Sequence, residues 1–235
     1  MDQFLQGKTA LVTGGTRGIG RAIARALLDA GASVEICGRS AEGVDKAVRE
    51  LGARASGTAC DVSDPAAVAA LFRHADERLG GLDILVNNAG VAGFSSVGDM
   101  SIEQWRNTIG TNLDGAFYCS REAVLRFRKR GGGFVVNISS LAGRNPFAGG
   151  AAYNASKYGL NGFSEAMMLD HRYDDVRVCY IMPGSVATEF NAQAPGAAWK
   201  IAPEDVAEVV LTVLRMPART LISRVEIRPS RPPKR

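Results

Sequence analysis

The chain has few of the features that mark metal sites, disulfide scaffolds or membrane proteins. It holds only 2 histidines, and no C-x-x-C pair occurs. Its 4 cysteines, Cys37, Cys60, Cys119 and Cys179, lie far apart. No metal site of ordinary zinc-ligand spacing and no disulfide framework is therefore expected. Three of the four lie in apolar, strand-like segments, which reads as reduced packing residues of a cytoplasmic protein. Nowhere does an apolar run approach the roughly eighteen residues of a membrane helix, and no basic segment followed by an apolar stretch opens the chain. Neither a membrane association nor a secretory signal is expected.

Charge of one sign is also missing from most of the sequence. The formal net charge is +4, and the closing RPSRPPKR carries all of it in Arg228, Arg231, Lys234 and Arg235. Residues 1–227 are then formally neutral, without the one-sided basic face that drives phosphate-backbone binding. No nucleic-acid partner follows, and residues 228–235 read as a solvated, proline-stiffened tail.

What remains is ordinary globular material. The 235 residues are 46% hydrophobic and 22% charged, which excludes disorder and suffices for one large core. Short β-branched runs alternate with helical stretches. Strands are expected at Thr9–Thr13, Ala32–Cys37, Asp83–Asn87, Phe134–Ile138, Val176–Met182 and Leu221–Ile227, with a weaker one before Asp61. Ile19, Ile23 and Leu27 repeat at helical spacing over Gly18–Ala30. Asp64-Pro65 opens another helix, with proline at a permitted first-turn position. Ser101 and Gln104 form a capping box for a long helix running past Tyr118 toward Arg130. Two more helices should start near Ala152 and near Pro203. Most strands are apolar on both faces, which fits burial under helices on both sides of a parallel sheet. The expectation is a single doubly wound α/β domain of the Rossmann type over residues 1–227, with a seven-stranded, mostly parallel sheet and helices on both faces.

In such folds ligands sit beyond the carboxyl ends of the strands, where the strand order reverses. After the first strand comes Thr13-Gly14-Gly15-Thr16-Arg17-Gly18-Ile19-Gly20, leading into a helix. Glycines there allow a tight turn and close approach of a pyrophosphate, and the helix N-terminus offers free N–H groups. The G-x-x-x-G-x-G spacing is neither the commonest dinucleotide fingerprint nor a P-loop. Tyr153 and Lys157 stand four apart in a helical segment, hence one turn apart on one face. Moving a phenol from about 10 to about 7 takes three units, or about 4 kcal/mol, and a nearby ammonium works in that direction. Taken singly, a surface tyrosine beside a surface lysine would show the same spacing.

The combination is more specific. The glycine turn, Asn87-Asn88-Ala89-Gly90, Ser140 thirteen residues before Tyr153, Lys157 four after it, and Pro183-Gly184 occur in that order. With these motifs the sequence resembles the short-chain dehydrogenase/reductase family over roughly residues 5–227. The resemblance implies Tyr153 as general acid or base, Lys157 as its partner and a ribose contact, and Ser140 as holder of the substrate oxygen. Ser139 is the neighbour that could be confused with Ser140, and strand alternation points it to the other side. Asn112 matches the family asparagine whose backbone carbonyl helps hold a water between Lys157 and solvent. Cofactor contacts are implied for Gly14, Thr16, Arg17, Gly18, Ile19 and Gly20 in the turn, and for Gly38, Arg39 and Ser40 after the second strand. Further along they are implied for Asp61-Val62 beside the adenine, Asn88-Ala89-Gly90 along the adenosine, and Pro183, Gly184, Val186 and Thr188 near the pyrophosphate and carboxamide.

The cofactor expected is NADP(H). A carboxylate at the end of the second strand would hydrogen-bond the NAD ribose and repel a 2′-phosphate. Glu35 lies inside that strand, with Val34 and Ile36 on the opposite face; the strand end reads Cys37-Gly38-Arg39-Ser40. Gly38 removes the repulsion, and Arg39 and Arg17 supply cationic partners for the phosphate. The activity implied is reduction of a ketone or aldehyde to an alcohol, with 3-oxoacyl thioester, general carbonyl and hydroxysteroid reductases as subclasses. The alternative is a non-catalytic dinucleotide-binding redox sensor, which would not need the full tyrosine–lysine set.

Two departures stand out. Only Asn191–Ile201 separates Pro183-Gly184 and its sequel from the next helix, which implies a short lid, with Pro195, Gly196 and an apolar wall candidate in Trp199. The chain closes on Arg224-Val225-Glu226-Ile227 and the basic tail instead of a glycine-rich extension, so a tetramer contact through that end does not follow. The helices Ser101–Arg130 and Tyr153–Asp170, the latter with Phe163, Met167 and Met168, suggest a homodimer or homotetramer.

Overall fold

The computed structural model describes residues 3–188 and 198–233. Seven strands form one sheet: β1 (Thr9–Thr13), β2 (Ser33–Gly38), β3 (Ala55–Ala59), β4 (Ile84–Asn87), β5 (Gly133–Ile138), β6 (Val176–Pro183) and β7 (Arg224–Ile227). Their order is β3-β2-β1-β4-β5-β6-β7, and every neighbouring pair is parallel. The helices are α1 (Gly18–Asp29), α2 (Ala41–Leu51), α3 (Pro65–Leu79), α4 (Ile102–Ile109), α5 (Gly115–Arg130), α6 (Ala151–His171) and α7 (Pro203–Leu214).

Alternation along the strands builds two cores. On β1, Ala10 and Val12 point to one face and Leu11 to the other. The first face packs Ile23 and Leu27 of α1, Ala47 and Leu51 of α2, and Val206 and Val210 of α7. The second packs Leu71 and Phe72 of α3, Cys119 and Phe127 of α5, and Met167 of α6. A sheet covered on both sides needs strands apolar on both faces, and all five residues of β1 and all four of β4 are buried.

Three differences from the sequence reading have local causes. Helix α2 was not expected; Val44, Ala47 and Leu51 do recur at helical spacing, and the Ser40 hydroxyl caps its N-terminus by accepting from Gly43 N at 3.2 Å. The long helix from Ser101 opens with the capping box but is broken by a π-turn at Gly110–Asp114 before α5. Strand β7 is shorter than Leu221–Ile227 because it pairs with β6 only from Arg224 onward. Among the described residues no helix is long and apolar enough to cross a membrane.

Glu35 is fully buried in the middle of β2. Its carboxylate accepts from Thr58 Oγ1 at 2.8 Å and from the Ser56 hydroxyl on β3, and lies 3.0 Å from His74 Nδ1 on α3. It therefore faces the α3 layer and not the strand's carboxyl end. After β1 the chain builds β2 and β3 on one side, then crosses to place β4 on the other. The reversal between β1 and β4 opens a crevice at their carboxyl ends.

Candidate active site

A cleft of about 350 Å³ occupies that crevice, within the range usual for small-molecule sites. One end is built on the glycine turn. Gly14 has φ +64°, a conformation that favours glycine, and a Cβ there would lie 3.0 Å from Ala89 Cα. Helix α1 starts without a side-chain cap and without an acid in its first turn. Helices α2, α3 and α4, by contrast, have their first N–H groups met by Ser40, Asp64 and Ser101. The α1 N-terminus opens on the cleft with its first N–H groups unmet by a side chain, which suits a diphosphate, and Gly14, Thr16, Arg17, Gly18 and Ile19 line the cleft around it.

Gly20 is not a lining residue. A Cβ on it would stand 2.3 Å from both Gly14 O and Asn88 Nδ2, so it lets α1 seat tightly against the turn. Ser40 is likewise outside the cleft lining, its hydroxyl taken by the α2 cap.

At the β2 end, Gly38 and Arg39 line the cleft. A Cβ on Gly38 would come within 2.7 Å of Thr16 Cγ2, so Thr16 occupies the space an acidic side chain would need. Asp61 lies opposite and keeps its carboxyl below the ordinary range, chiefly through the Ser63 hydroxyl and N–H, with Arg39 adding to the effect. Cys37 and Cys60, read from sequence as packing residues, are also cleft residues. The Cys37 hydrogen bond lowers the Cys60 thiol, against the opposing effect of burial.

The middle of the cleft is stitched between β1 and β4. Thr13 Oγ1 accepts from Asn88 N and Ala89 N, each at 3.0 Å, and Asn88 Nδ2 donates to Thr13 O at 2.9 Å. Val62, Asn88, Ala89 and Gly90 line this part. Asn112, in the π-turn, uses its buried side chain to bracket Val91: Oδ1 accepts from Val91 N at 2.8 Å and Nδ2 donates to Val91 O at 3.0 Å. The same Nδ2 donates to Ser156 Oγ on α6 at 3.1 Å, so the asparagine clamps the β4 loop to the helix that carries Tyr153 and Lys157. Thr111, not Asn112, reaches the cleft lining.

At the far end, the first turns of α6 bring Tyr153 and Lys157 into the cleft, and the exit of β5 brings Ser140 within hydrogen-bonding reach of Tyr153, although Ser139 and not Ser140 is the serine in the cleft lining. Burial pushes the Tyr153 phenol up, while a hydrogen bond with Ser140 works the other way. Ser140 Oγ also accepts from Ala142 N at 3.1 Å, which fixes its position. Ser139 turns to α6 and donates to Asn161 Oδ1 at 2.6 Å.

Lys157 is buried, and burial pulls its ammonium down to about 8. Strand β5 outruns β4, whose last pair is Asn87–Asn137, and the Ile138 carbonyl just beyond accepts from Lys157 Nζ at 2.9 Å. The ammonium lies 5.8 Å from the Tyr153 ring centroid. In this arrangement the ammonium donates to the main chain, and burial is the larger influence on the phenol.

Pro183, Gly184, Val186 and Thr188 close the cleft over the α1 N-terminus, held by Gly184 N to Ile227 O at 2.8 Å and by the Val186–Ile201 bridge. Of the expected lid, Pro195 and Gly196 lie outside the described residues, as do Lys234 and Arg235 of the tail. Trp199 is half-buried, and Lys200 rather than Trp199 lines the cleft among the described residues.

The sequence places substrate specificity in Gly93–Val97, Leu141–Gly150 and Asn191–Ile201 without singling out Phe94. Its ring stands edge-on to Tyr153, with centroids 5.6 Å apart, and it lines the cleft. The signal was present in its position, a few residues beyond Asn87–Gly90, in a loop of small residues.

Comparisons with known proteins agree with this geometry. A family model described as short chain dehydrogenase matches residues 8–198. A 3alpha-hydroxysteroid dehydrogenase of Mediterraneibacter gnavus is 34% identical over 205 residues, 85% of this chain and 82% of the relative. An NADP-dependent (R)-specific alcohol dehydrogenase of Lentilactobacillus kefiri is 39% identical, over 84% of this chain and 80% of that one. A metagenomic short-chain oxidoreductase solved in complex with NADP superposes with a TM-score of 0.86 at 37% identity, covering 97% of this chain and 99% of the other.

Proposed function

The chain belongs to the short-chain dehydrogenase/reductase family, and on that premise we propose how its cleft works as an NADP(H)-dependent oxidoreductase interconverting a ketone or aldehyde and an alcohol. The dinucleotide fits the residues present: the diphosphate against the uncapped α1 N-terminus, the 2′-phosphate beside Arg39 and Arg17, and the nicotinamide end toward Val186, Thr188 and Lys157. When bound, it supplies or accepts the hydride.

The remaining chemistry falls to three side chains. The hydroxyls of Ser140 and Tyr153, already hydrogen-bonded, converge on one point where a substrate oxygen can accept from both. In reduction Tyr153 gives up its proton to that oxygen, and in oxidation it takes the proton back. Ser140 donates to the negative charge developing on the same oxygen. Lys157 makes the tyrosinate accessible. Its buried ammonium lies on one face of the Tyr153 ring and favours the charged phenolate, in the direction opposite to burial. Asn112 acts through the clamp on Val91 and Ser156, holding α6 at the right depth.

The observation that carries this reading is the Ser140–Tyr153 hydroxyl pair above the buried Lys157, at the carboxyl end of β5. Its test is Tyr153→Phe, followed by loss of NADPH absorbance with a panel of ketones, 3-oxoacyl thioesters and sugars. Turnover should fall to less than a few per cent of wild type while NADPH binding persists, and retention of more would move the proton donor elsewhere.

Residues 1–227 are assigned to the catalytic domain, with 228–235 outside the chemistry. The free state of all four cysteines supports a reducing compartment such as the cytoplasm. Half-exposed Phe117 and Leu125 on α5 and exposed Leu169 on α6 support self-association through these helices.

A further inference from the structure

Phe94 and Phe147 come from separate loops, after β4 and after β5, and meet beside the proposed proton donor. Their centroids are 5.4 Å apart with planes at 77°, and Phe94 meets Tyr153 at 5.6 Å and 84°. Both rings remain roughly half exposed, at 50% and 45%. The loops that carry them are tied to the body of the protein.

The Phe94 loop is anchored at Val91 by Asn112 and joined to the other loop by the Ser95–Gly150 bridge. The Phe147 ring rests on Gly150, where a Cβ would collide at 2.6 Å, and its carbonyl accepts from Asn154 Nδ2 on α6 at 3.2 Å. Rigid, pre-placed rings give up little entropy on meeting a ligand.

The charged side chain of the Phe147 loop, Arg144, is drawn toward the sheet, its Nη1 lying 3.6 Å from Glu226 on β7. A flat apolar group finds two ring edges and faces at this wall.

We propose that Phe94 and Phe147 form a specificity wall that selects a ketone carrying an aryl group next to the carbonyl, in preference to short aliphatic ketones. This rests on the carbonyl-reductase reading above. With the carbonyl oxygen between Ser140 and Tyr153, the aryl ring lies against Phe94, and Phe147 backs it.

The test compares kcat/KM for acetophenone and 2-butanone in wild type, Phe94→Ala and Phe94→Leu, with NADPH affinity measured by fluorescence. Wild type should favour acetophenone over 2-butanone by at least about tenfold, a factor within reach of one apolar pocket contact. Phe94→Ala should shrink that ratio by about tenfold through the acetophenone KM, and Phe94→Leu should fall between. Preference for 2-butanone in wild type overturns the proposal, as does an equal loss on both ketones, which would make Phe94 a prop for Tyr153 only. An unchanged ratio overturns it too. Absence of turnover on every carbonyl, with NADPH still bound, overturns the parent reading and this one together, which separates the two failures. Should Phe94→Ala not fold, the Leu variant alone carries the same comparison.

Discussion

Lys157→Met should inactivate the protein and at the same time stabilise it near neutral pH. The ammonium is buried and drawn from its ordinary 10.5 to about 8. A displacement of about two and a half units corresponds to about 3 kcal/mol, borne by the folded state whenever the lysine is charged in both states. The folded protein holds this proton less tightly than the unfolded chain. Below pH 8 the full cost stands. As pH rises through the folded value toward 10.5, the folded lysine becomes neutral while the unfolded one stays charged, and the cost fades. Methionine has a similar stem and no charge, so the variant escapes this cost. It loses the bond to Ile138 O, which leaves that carbonyl short of a donor at a cost of about 1–2 kcal/mol, independent of pH. The net gain near pH 7 is then about 1–2 kcal/mol, or a few degrees in Tm for a chain of this size.

Urea unfolding of both proteins at about pH 7 and about pH 9.5, at fixed protomer concentration, isolates the effect. Groups common to both cancel in the difference. The stability advantage of Lys157→Met should shrink by about 2 kcal/mol between the two conditions. A difference that does not change with pH would refute the reasoning, because a pH-independent loss or gain would come from packing alone.

Arg39→Asp should raise the KM for NADPH sharply and improve NADH use, since the cation beside the 2′-phosphate becomes a repelling carboxylate; an unchanged preference in steady-state kinetics would reject that role. Gly20→Ala forces a Cβ to 2.3 Å from the Gly14 carbonyl and should cost about 1–3 kcal/mol of stability together with weaker dinucleotide binding, read by thermal unfolding and NADPH titration. Sedimentation at micromolar concentration should show at least a dimer, and a lone 24.9 kDa species would reject the α5–α6 association.

Much of the site was legible because it is local. The G-x-x-x-G-x-G turn, the capping box at Ser101 and Gln104, and the one-turn spacing of Tyr153 and Lys157 depend on residues within a few positions of one another, where helix and turn geometry leaves little freedom. Ser140 was chosen over Ser139 by strand alternation together with its thirteen-residue spacing from Tyr153, and the structure turns the Ser139 hydroxyl to Asn161. Ser40 has a role that the sequence reading did not name. Its hydroxyl caps α2, a helix that was not set there although Val44, Ala47 and Leu51 share one buried face.

The sequence by itself determined the periods: which segments are strands, which are helices, and which residues of each share a face. The tertiary structure decided what meets across those segments. Phe94 touches Tyr153, and Asn112 clamps Val91 to Ser156, because the order β3-β2-β1-β4-β5-β6-β7 gathers loops distant in the chain at one sheet edge. Only the packed structure shows the Lys157 ammonium bonded to the Ile138 carbonyl, since that carbonyl is open to it solely where β5 extends past β4. Periodicity follows from backbone geometry, whereas these contacts follow from how whole layers pack, and no short stretch of sequence encodes that.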